Sequence, residues 1–557
     1  MRILNVLRAV SLISFLATNP AAAATRNLNA GAVASPDRYG ALAAQEVLKA
    51  GGNAVDAAVA TAFVLAVTYP EAGNLGGGGF MTLYVDGKPY FLDYRETAPS
   101  KASAGMYLDP KGSPIVALSL VGPLAAGVPG TVRGLEAAHL KFGKLTWKRD
   151  LAPAIRLARR GFVVPLGEIK ERDDDRKAFI ETNFDRYFSG MVAGRLFKQT
   201  ELAATLQRIA RDGARGFYEG KTADLIVAQM ARGPGHGLIS HEDLACYKVA
   251  WREPVQGDWK GFHIITAPPP SSGGIALLQM LSMKADDAAL FKNVGLNTPQ
   301  YLHLISEIEK RVFADRAEYL GDPDFWKVPV AALTDAAYIR RRAQEVDPVK
   351  PSALNLVNPG LEKPQTTHFS VVDRWGNAVS NTYTLNGSFG SGVVVEGAGF
   401  LLNDEMDDFS VKPGAPNLYG VVGGDANAIA PFKRPLSSMT PTILTKDGEL
   451  AMVLGTPGGS RIFTSVFQVL ADVYDFDLPL PKALAALRFH HQLLPVNTIF
   501  TEPYAPLSEK LAAEMRVRGY RIEGQGFNGD IEAIKIVGGV PQAASDPRAR
   551  GVSLVVR

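Results

Sequence analysis

Segments with the pattern of β-hairpins lie far apart in this 557-residue chain. One covers residues 81–94 around Asp86-Gly87, a second covers residues 367–385, and a third covers residues 442–454. Asp-Gly between β-prone runs is a strong signal for a tight hairpin. Most of residues 130–350 instead has apolar residues at helical spacing. This order indicates an α+β fold, in which strands from distant parts of the chain share sheets beneath helical layers.

Shorter patterns refine the expected arrangement. Residues 38–67 are alanine-rich at helical spacing, and Gly51-Gly52 divides them into a buried helical hairpin. The glycine run 76–79 precedes a strand instead of opening a helix, so it indicates close backbone packing and not a phosphate cradle. The segment 268–274 has the composition of a turn, and residues 350–365 have that of a loop.

Composition and charge narrow the classes of partner. The net charge is +3, from 59 basic and 56 acidic residues without a long run of one sign, so nothing favours nucleic acid or an anionic membrane surface. A small molecule is the expected partner. Cys246 is the single cysteine, which excludes an intrachain disulfide, and we expect it to be a packed, inert thiol in a helix-like run over residues 241–247.

The first 24 residues have the parts of an export signal. Arg2 and Arg8 precede the apolar stretch 10–17, and an alanine cluster at residues 21–24 suits a signal peptidase. The apolar stretch is shorter than the roughly 20 residues that span a bilayer. We therefore expect cleavage, a periplasmic or secreted protein, and no membrane span after processing; an uncleaved anchor is the alternative.

Several common catalytic mechanisms are excluded by motif. The chain has no G-x-S-x-G, no H-E-x-x-H and no Walker A sequence. The neighbours His490 and His491 cannot both face one metal from a regular helix, so we interpret them as packing or hydrogen-bonding residues. We expect no metal and no cofactor.

A series of ordered motifs carries a family resemblance. They include residues 51–58 (GGNAVDAA), 74–80 (NLGGGGF), 95–99 (RETAP), 270–274 (PSSGG), 366–373 (TTHFSVVD), 383–386 (YTLN), 406–409 (MDDF), 437–439 (SSM) and 457–459 (PGG). Together they resemble the γ-glutamyltranspeptidases over nearly the whole mature chain. The resemblance implies the αββα sandwich of N-terminal-nucleophile hydrolases, built from two intertwined subunits cut from one precursor, with a large subunit 25–365 and a small subunit 366–557.

In that family the threonine matching Thr366 becomes the first residue of the small subunit after self-cleavage. The chemistry is reasonable on its own terms, because a threonine hydroxyl is a weak nucleophile that needs a base with a pKa near working pH. A free α-amino group has a pKa of about 7.7–8.0. Cutting the Gln365–Thr366 bond would place nucleophile and base on one residue.

The resemblance also assigns the groups that recognise the carboxylate of a γ-glutamyl donor. Arg95 is expected to bind the α-carboxylate, since a guanidinium matches its geometry bidentately. Ser437 and Ser438 would add hydroxyl donors.

The donor's α-ammonium is assigned to a second group of residues. Asp408 is expected to accept it, with help from Asn386 and Glu405. Some bacterial members carry glutamine where this chain has Glu405, so this position adds negative charge beside the ammonium.

The remaining assignments concern the reacting carbonyl. Gly458 and Gly459 match the family's oxyanion hole, in which N–H groups without neighbouring side chains approach the developing charge. Thr384 is expected to orient the Thr366 hydroxyl. Residues 413–427, with Tyr419, resemble the lid that some members place over the donor; an ordinary surface loop is the alternative.

The expected activity is transfer of γ-glutamyl groups from glutathione and similar donors to water or to amino-acid and peptide acceptors, by a heterodimer of large and small subunits. One rival is a cephalosporin or glutaryl acylase of the same superfamily, whose donor lacks the α-ammonium. Another is a periplasmic binding protein that captures γ-glutamyl compounds without turnover.

Overall fold

The computed structural model describes residues 27–233, 235–353, 366–411, 424–526 and 529–557. Three predicted features therefore lie wholly or mostly outside the described residues: the export signal, most of the loop 350–365, and most of the lid 413–427, including Tyr419. No helix within the described ranges combines the length and apolar character that crossing a membrane requires.

The strands are short and spread over the whole described chain. They are β1 Gly31–Ser35, β2 Gly78–Val85, β3 Lys88–Asp93, β4 Phe162–Val163, β5 Leu196–Phe197, β6 Ala250–Arg252, β7 Val255–Trp259, β8 Phe262–Thr266, β9 Thr366–Val372, β10 Ala378–Thr384, β11 Thr442–Lys446, β12 Glu449–Gly455, β13 Phe489–His490, β14 Thr498–Thr501, β15 Arg521–Gly524, β16 Glu532–Val537, β17 Val540–Ser545 and β18 Val552–Val556.

The helices lie mostly before Thr366. They are α1 Arg38–Lys49, α2 Ala54–Thr68, α3 Ala117–Leu120, α4 Thr131–Phe142, α5 Trp147–Arg160, α6 Leu166–Asp175, α7 Phe184–Phe188, α8 Thr200–Asp212, α9 Arg215–Tyr218, α10 Gly220–Met230, α11 His241–Cys246, α12 Gly273–Asp286, α13 Pro299–Tyr319, α14 Val330–Leu333, α15 Ala336–Gln344, α16 Ile462–Tyr474, α17 Leu480–Ala485 and α18 Glu509–Val517.

Two antiparallel sheets form the centre of the molecule. The first has seven strands in the order β18-β1-β9-β10-β2-β3-β6, and the second has six in the order β17-β16-β12-β11-β8-β7. A small apolar cluster with Ile265, Val372 and Val453 packs between their facing sides. Helices α1, α2 and α5 cover the outer face of the first sheet, and α12, α13 and α16 that of the second. The predicted αββα sandwich is confirmed.

Both sheets combine strands from before and after Thr366. In the first sheet β1 lies between β18 and β9, and β10 pairs with β2. In the second sheet β11 pairs with β8. Two fragments produced by a cut before Thr366 would share these ladders, and separating them would expose sheet edges and core side chains to water. The core is intertwined and not divisible into two domains at this point.

Local sequence explains the helical hairpin at the amino end. The Asn53 side chain accepts from the N–H groups of Val55 and Asp56, while the Asp56 carboxylate accepts from the Asn53 N–H, which is a complete capping box. All residues of α2 are buried, which agrees with its apolar character on every side. The hairpins at 78–93, 366–384 and 442–455 are also present, with Asp86 and Gly87 both at positive φ as a tight turn requires.

Two expectations were wrong. Residues 250–266 form β6, β7 and β8 instead of continuing the helical region. The turn between β7 and β8 is Lys260-Gly261, with φ of 52° and 78°, and lysine in this conformation is not a recognisable hairpin signal. Cys246 is exposed and not packed, because it ends the six-residue helix α11, which buries only Asp243 and Leu244.

Candidate functional site

The predicted nucleophile lies at the end of a strand, opposite its predicted partner. Thr366 begins β9 and is partly exposed, and the register pairs it with Thr384, the last residue of β10. The Thr366 hydroxyl lies 3.4 Å from Thr384 Oγ1, which also accepts a hydrogen bond from the Asn386 N–H at 2.8 Å. Thr384 is therefore placed to orient the Thr366 hydroxyl.

The glycine run holds this end of the sheet by close backbone packing, as predicted. A Cβ on Gly77 would lie 2.0 Å from the Thr384 carbonyl oxygen, and one on Gly76 would lie 2.1 Å from that of Leu401. The Asn74 amide donates to the Thr384 carbonyl at 2.9 Å, and its oxygen accepts from the Gly77 N–H at 3.0 Å. A side chain at Gly77 would displace the strand that carries Thr384, and one at Gly76 would displace the segment at Leu401.

Arg95 lies just beyond β3 and is only 1% exposed, so it is not part of a surface ion pair. Its Nη1 contacts the Glu405 carboxylate, and its Nη2 contacts that of Asp408. A third carboxylate, Glu96, has an oxygen 3.7 Å from Nη1. The predicted carboxylate-binding and ammonium-binding residues are thus paired with each other in the ligand-free protein.

Burial dominates the electrostatics of this cluster. It raises the pKa of Glu96 to about 8 and raises that of Glu405 well above its ordinary range, although Arg95 opposes both shifts. Burial alone would lower the Arg95 pKa, but Glu405, Asp408 and Glu96 hold it above its ordinary value. One guanidinium compensates three carboxyl groups only in part, so the cluster can accept a further positive charge.

Ser437 and Ser438 lie beside Arg95 and are held by the turn segment 268–274. The Ser437 N–H donates to the Pro270 carbonyl at 2.9 Å, and the Ser437 carbonyl accepts from the Ser272 N–H at 2.8 Å. Each serine hydroxyl oxygen already accepts a hydrogen bond, from the Met439 N–H at 3.1 Å and from Arg316 Nη2 at 3.2 Å respectively. Their hydroxyl protons can therefore be donated to an anionic ligand.

Gly458 and Gly459 follow β12 and lead into α16. Gly458 has φ of 143° and Gly459 has φ of 56°, conformations that side chains strongly disfavour. They lead the chain into the helical segment 459–474, whose residues Gly459 and Ile462 line the pocket, and the helix dipole favours negative charge at this end. This geometry suits a developing oxyanion.

The structure brings nine predicted residues into one pocket. Its lining consists of Arg95, Thr366, Thr384, Asn386, Glu405, Asp408, Ser437, Ser438 and Gly459, together with Met439 and Ile462. Gly458 adjoins Gly459 but is not a lining residue, and Tyr419 lies outside the described residues.

Sequence reasoning assigned no role to Glu96, Met439 or Ile462. Glu96 belongs to the motif 95–99, and its position next to Arg95 in the sequence is the signal that could have placed it in the site. Within the described residues neither of its carboxylate oxygens has a hydrogen-bond partner. His490 and His491 are buried, and the His490 ring is hydrogen-bonded to Thr464 and Gln492, as expected for structural residues.

Comparison with known proteins gives a consistent result. The family model described as gamma-glutamyltranspeptidase matches residues 40–556. A glutathione hydrolase proenzyme of Pseudomonas aeruginosa is 62% identical over 552 residues, covering 99% of each chain.

Two solved structures are similar as well. A chain of the gamma-glutamyltranspeptidase from Pseudomonas nitroreducens, complexed with L-DON, is 61% identical with a TM-score of 0.58 and covers 58% of this chain and 97% of its own. The cephalosporin acylase from Bacillus halodurans is 26% identical with a TM-score of 0.81, covering 98% and 99%. With the family model matched across almost the whole chain, this protein belongs to the gamma-glutamyltranspeptidase family.

Proposed function

We propose that this chain is the proenzyme of a γ-glutamyltransferase and glutathione hydrolase that cuts itself before Thr366. The observation that carries the proposal is the pocket in which Thr366 lies with Arg95, Asp408 and the serine pair. The name of the Pseudomonas aeruginosa relative, a glutathione hydrolase proenzyme, supports both the substrate and the processing. The solved Pseudomonas nitroreducens chain supports the division, because it is almost fully covered yet matches only 58% of this chain.

Self-cleavage begins with the Thr366 hydroxyl. It attacks the carbonyl carbon of Gln365, the peptide nitrogen of Thr366 leaves as an amine, and an ester joins the two residues. Water then hydrolyses the ester, leaving subunits 25–365 and 366–557. The Thr384 hydroxyl, 3.4 Å from that of Thr366, orients the nucleophile. The shared sheets then keep the fragments together as a heterodimer.

The charge distribution of the pocket matches the amino-acid end of a γ-glutamyl donor. The donor's α-carboxylate would replace a protein carboxylate on the Arg95 guanidinium and accept hydrogen bonds from Ser437 and Ser438. Its α-ammonium would compensate the displaced carboxylates of Asp408 and Glu405. The donor is a zwitterion and brings one negative and one positive charge together. Its binding therefore adds no net charge to the pocket, and each carboxylate displaced from Arg95 gains the ammonium as a new partner.

The acyl transfer uses the new amino terminus. The free α-amine of Thr366 accepts the hydroxyl proton as the hydroxyl oxygen attacks the donor's γ-carbonyl. The N–H groups of Gly458 and Gly459 stabilise the oxyanion, a contribution of about 3 kcal/mol for one such donor. Loss of the leaving amine gives a γ-glutamyl-threonyl ester, which water or the amino group of an amino acid or peptide then opens.

The first 24 residues support export to the periplasm or the medium with removal of the signal. This placement is part of the same proposal, since external glutathione and peptides would then be accessible.

The experiment is a denaturing gel read beside an assay with a γ-glutamyl anilide. The wild type should give two fragments, the smaller beginning at Thr366, and should release the aniline. Thr366→Ala should give one uncut, inactive chain. Thr367→Val is the matched control, because Thr367 is buried on the other face of β9 and, among the described residues, its hydroxyl has no hydrogen-bond partner.

The outcomes separate the proposal from its rivals. An intact wild-type chain that binds γ-glutamyl compounds without turnover would indicate a binding protein. Faster cleavage of a glutaryl anilide, which lacks the α-ammonium, would indicate an acylase. A small fragment that begins at another residue would refute the assignment of Thr366.

A further inference from the structure

A cluster of three ionisable side chains lies in the helical layer and shares no residue with the pocket. Asp56 belongs to the first turn of α2, His139 to the last turn of α4, and Asp150 to the first turn of α5. The two aspartates are fully buried and His139 is 11% exposed. Three separate helices therefore present one side chain each to a common point.

The geometry is that of a coordination site. His139 Nδ1 lies 3.1 Å from Asp150 Oδ2 and 3.7 Å from Asp56 Oδ1, and one ligand atom from each residue lies within 4.8 Å of the others. An ion about 2.0–2.2 Å from these atoms would see the 3.1 Å pair at roughly 90–100° and the 3.7 Å pair at roughly 115–135°. These two angles suit a distorted tetrahedral site.

Asp56 is oriented by hydrogen bonds in the way that metal-ligating carboxylates commonly are. Its oxygens accept from the Lys144 N–H at 2.9 and 3.0 Å, from the Leu145 N–H at 3.2 Å and from the Asn53 N–H at 2.9 Å. Gly143 closes the cluster, since a Cβ there would lie 2.6 Å from His139 Nδ1.

Asp150 provides an independent indication of a ligand. Within the described residues neither of its carboxylate oxygens makes a hydrogen bond of standard geometry, and Oδ1 has no polar partner. Oδ2 has only the ion-pair contact with His139 Nδ1 at 3.1 Å, which compensates the carboxylate charge only when the ring is protonated. An incompletely compensated carboxylate at a fully buried position is costly, and a cation between these three side chains would compensate both aspartates.

We propose that Asp56, His139 and Asp150 bind one divalent transition-metal ion, which joins the ends of α2, α4 and α5. One imidazole and two carboxylates are ligands that zinc and manganese both accept. The partly exposed His139 provides the entry path. Because the ion would bridge helices of the outer layer, it contributes to stability and not to the acyl-transfer chemistry.

The test uses tag-free mature protein dialysed against chelator and then titrated calorimetrically with zinc and, separately, manganese. We expect one equivalent to bind to the wild type with micromolar or tighter affinity and to raise its melting temperature. The near-isosteric variants Asp150→Asn and His139→Gln should each weaken binding at least tenfold and lose the metal-dependent rise in melting temperature.

His241→Gln is the matched control. The exposed His241 has its Nε2 2.9 Å from Asp224 Oδ1, and among the described residues this histidine–aspartate pair belongs to no cluster of three metal-ligating side chains. This variant should bind metal as the wild type does. Wild-type protein that binds neither metal overturns the proposal whether or not the variants fold. Unchanged binding in Asp150→Asn overturns it as well, because the ion would then be held elsewhere.

Discussion

Replacing Arg95 with alanine tests the donor-binding assignment and the charge balance of the pocket together. The substitution removes the guanidinium from Glu405, Asp408 and Glu96, of which Glu405 and Glu96 are at most 1% exposed. Removing one partner of a buried ion pair costs about 3–5 kcal/mol of folding free energy. Losing the contact with the donor carboxylate should also cost about 2–5 kcal/mol of transition-state binding, a fall in kcat/KM of roughly 30-fold to several thousandfold.

The stability loss should depend on pH in a defined direction. Without Arg95, the pKa values of Glu405 and Glu96 in the folded state should rise further above their unfolded values. The stability contributed by such groups is fully present below the unfolded pKa of about 4.3 and is lost as pH rises through the folded pKa. The deficit of Arg95→Ala should therefore be smaller at pH 5 than at pH 8.

Urea unfolding at both pH values measures the stability, and a γ-glutamyl anilide assay measures kcat/KM. Arg95→Ala/Glu405→Gln is the matched double variant: it should recover part of the stability at pH 8, because one buried charge is gone, but none of the activity. A denaturing gel should show both fragments in each variant. Activity of Arg95→Ala within twofold of wild type would refute the carboxylate assignment, and an unchanged stability would refute the charge balance.

Three further predictions follow from the same structure. Thr384→Val should lower kcat by roughly two- to thirteenfold, the equivalent of about 0.5–1.5 kcal/mol for one hydrogen bond, whereas Thr384→Ser should remain near wild type in steady-state assays. The pH profile of kcat/KM should be bell-shaped, with an acidic limb that reflects the α-amine of Thr366. A donor analogue without the α-amino group should flatten only the alkaline limb. Loss of the acidic limb with this analogue would contradict the proposed base. Burial raises the pKa of Asp472 to about 8, so the wild type should lose stability as pH rises from about 4 to 8, whereas Asp472→Asn should not. Urea unfolding should therefore show the variant becoming more stable relative to wild type over this range. A constant difference would show that the pKa of Asp472 is not raised.

Local patterns predicted elements wherever the signal lies within a few residues. The Asp86-Gly87 turn and the capping residue Asn53 act on their immediate neighbours, so the elements they begin or end are visible in the sequence. Strands β6–β8 were missed for two reasons. The hairpin of β7 and β8 is local, but its Lys260-Gly261 turn is not a recognisable hairpin signal. The pairing of β6 with β3 and of β8 with β11 joins distant segments, and nothing within residues 250–266 specifies it.

The candidate site divides in the same way. Its residue types and their order along the chain were available from the motifs, and nine of the predicted residues line one pocket. The pairing of Arg95 with Glu405 and Asp408 was not available, because it depends on the approach of segments more than 300 positions apart.

The sequence by itself determined the local hairpins, the helix caps and the identity of the groups able to carry acyl-transfer chemistry, since each depends on residue type and near neighbours. Only the tertiary structure decided which of these groups meet, how deeply they are buried and what their pKa values become. Glu96 shows the reason: its carboxyl group is ordinary in an extended chain, and its pKa rises to about 8 only when the fold removes water from around it, a shift that the Arg95 guanidinium 3.7 Å away opposes but does not cancel. Desolvation and the distances between charges are properties of the packed molecule, and they do not exist until distant segments are brought together.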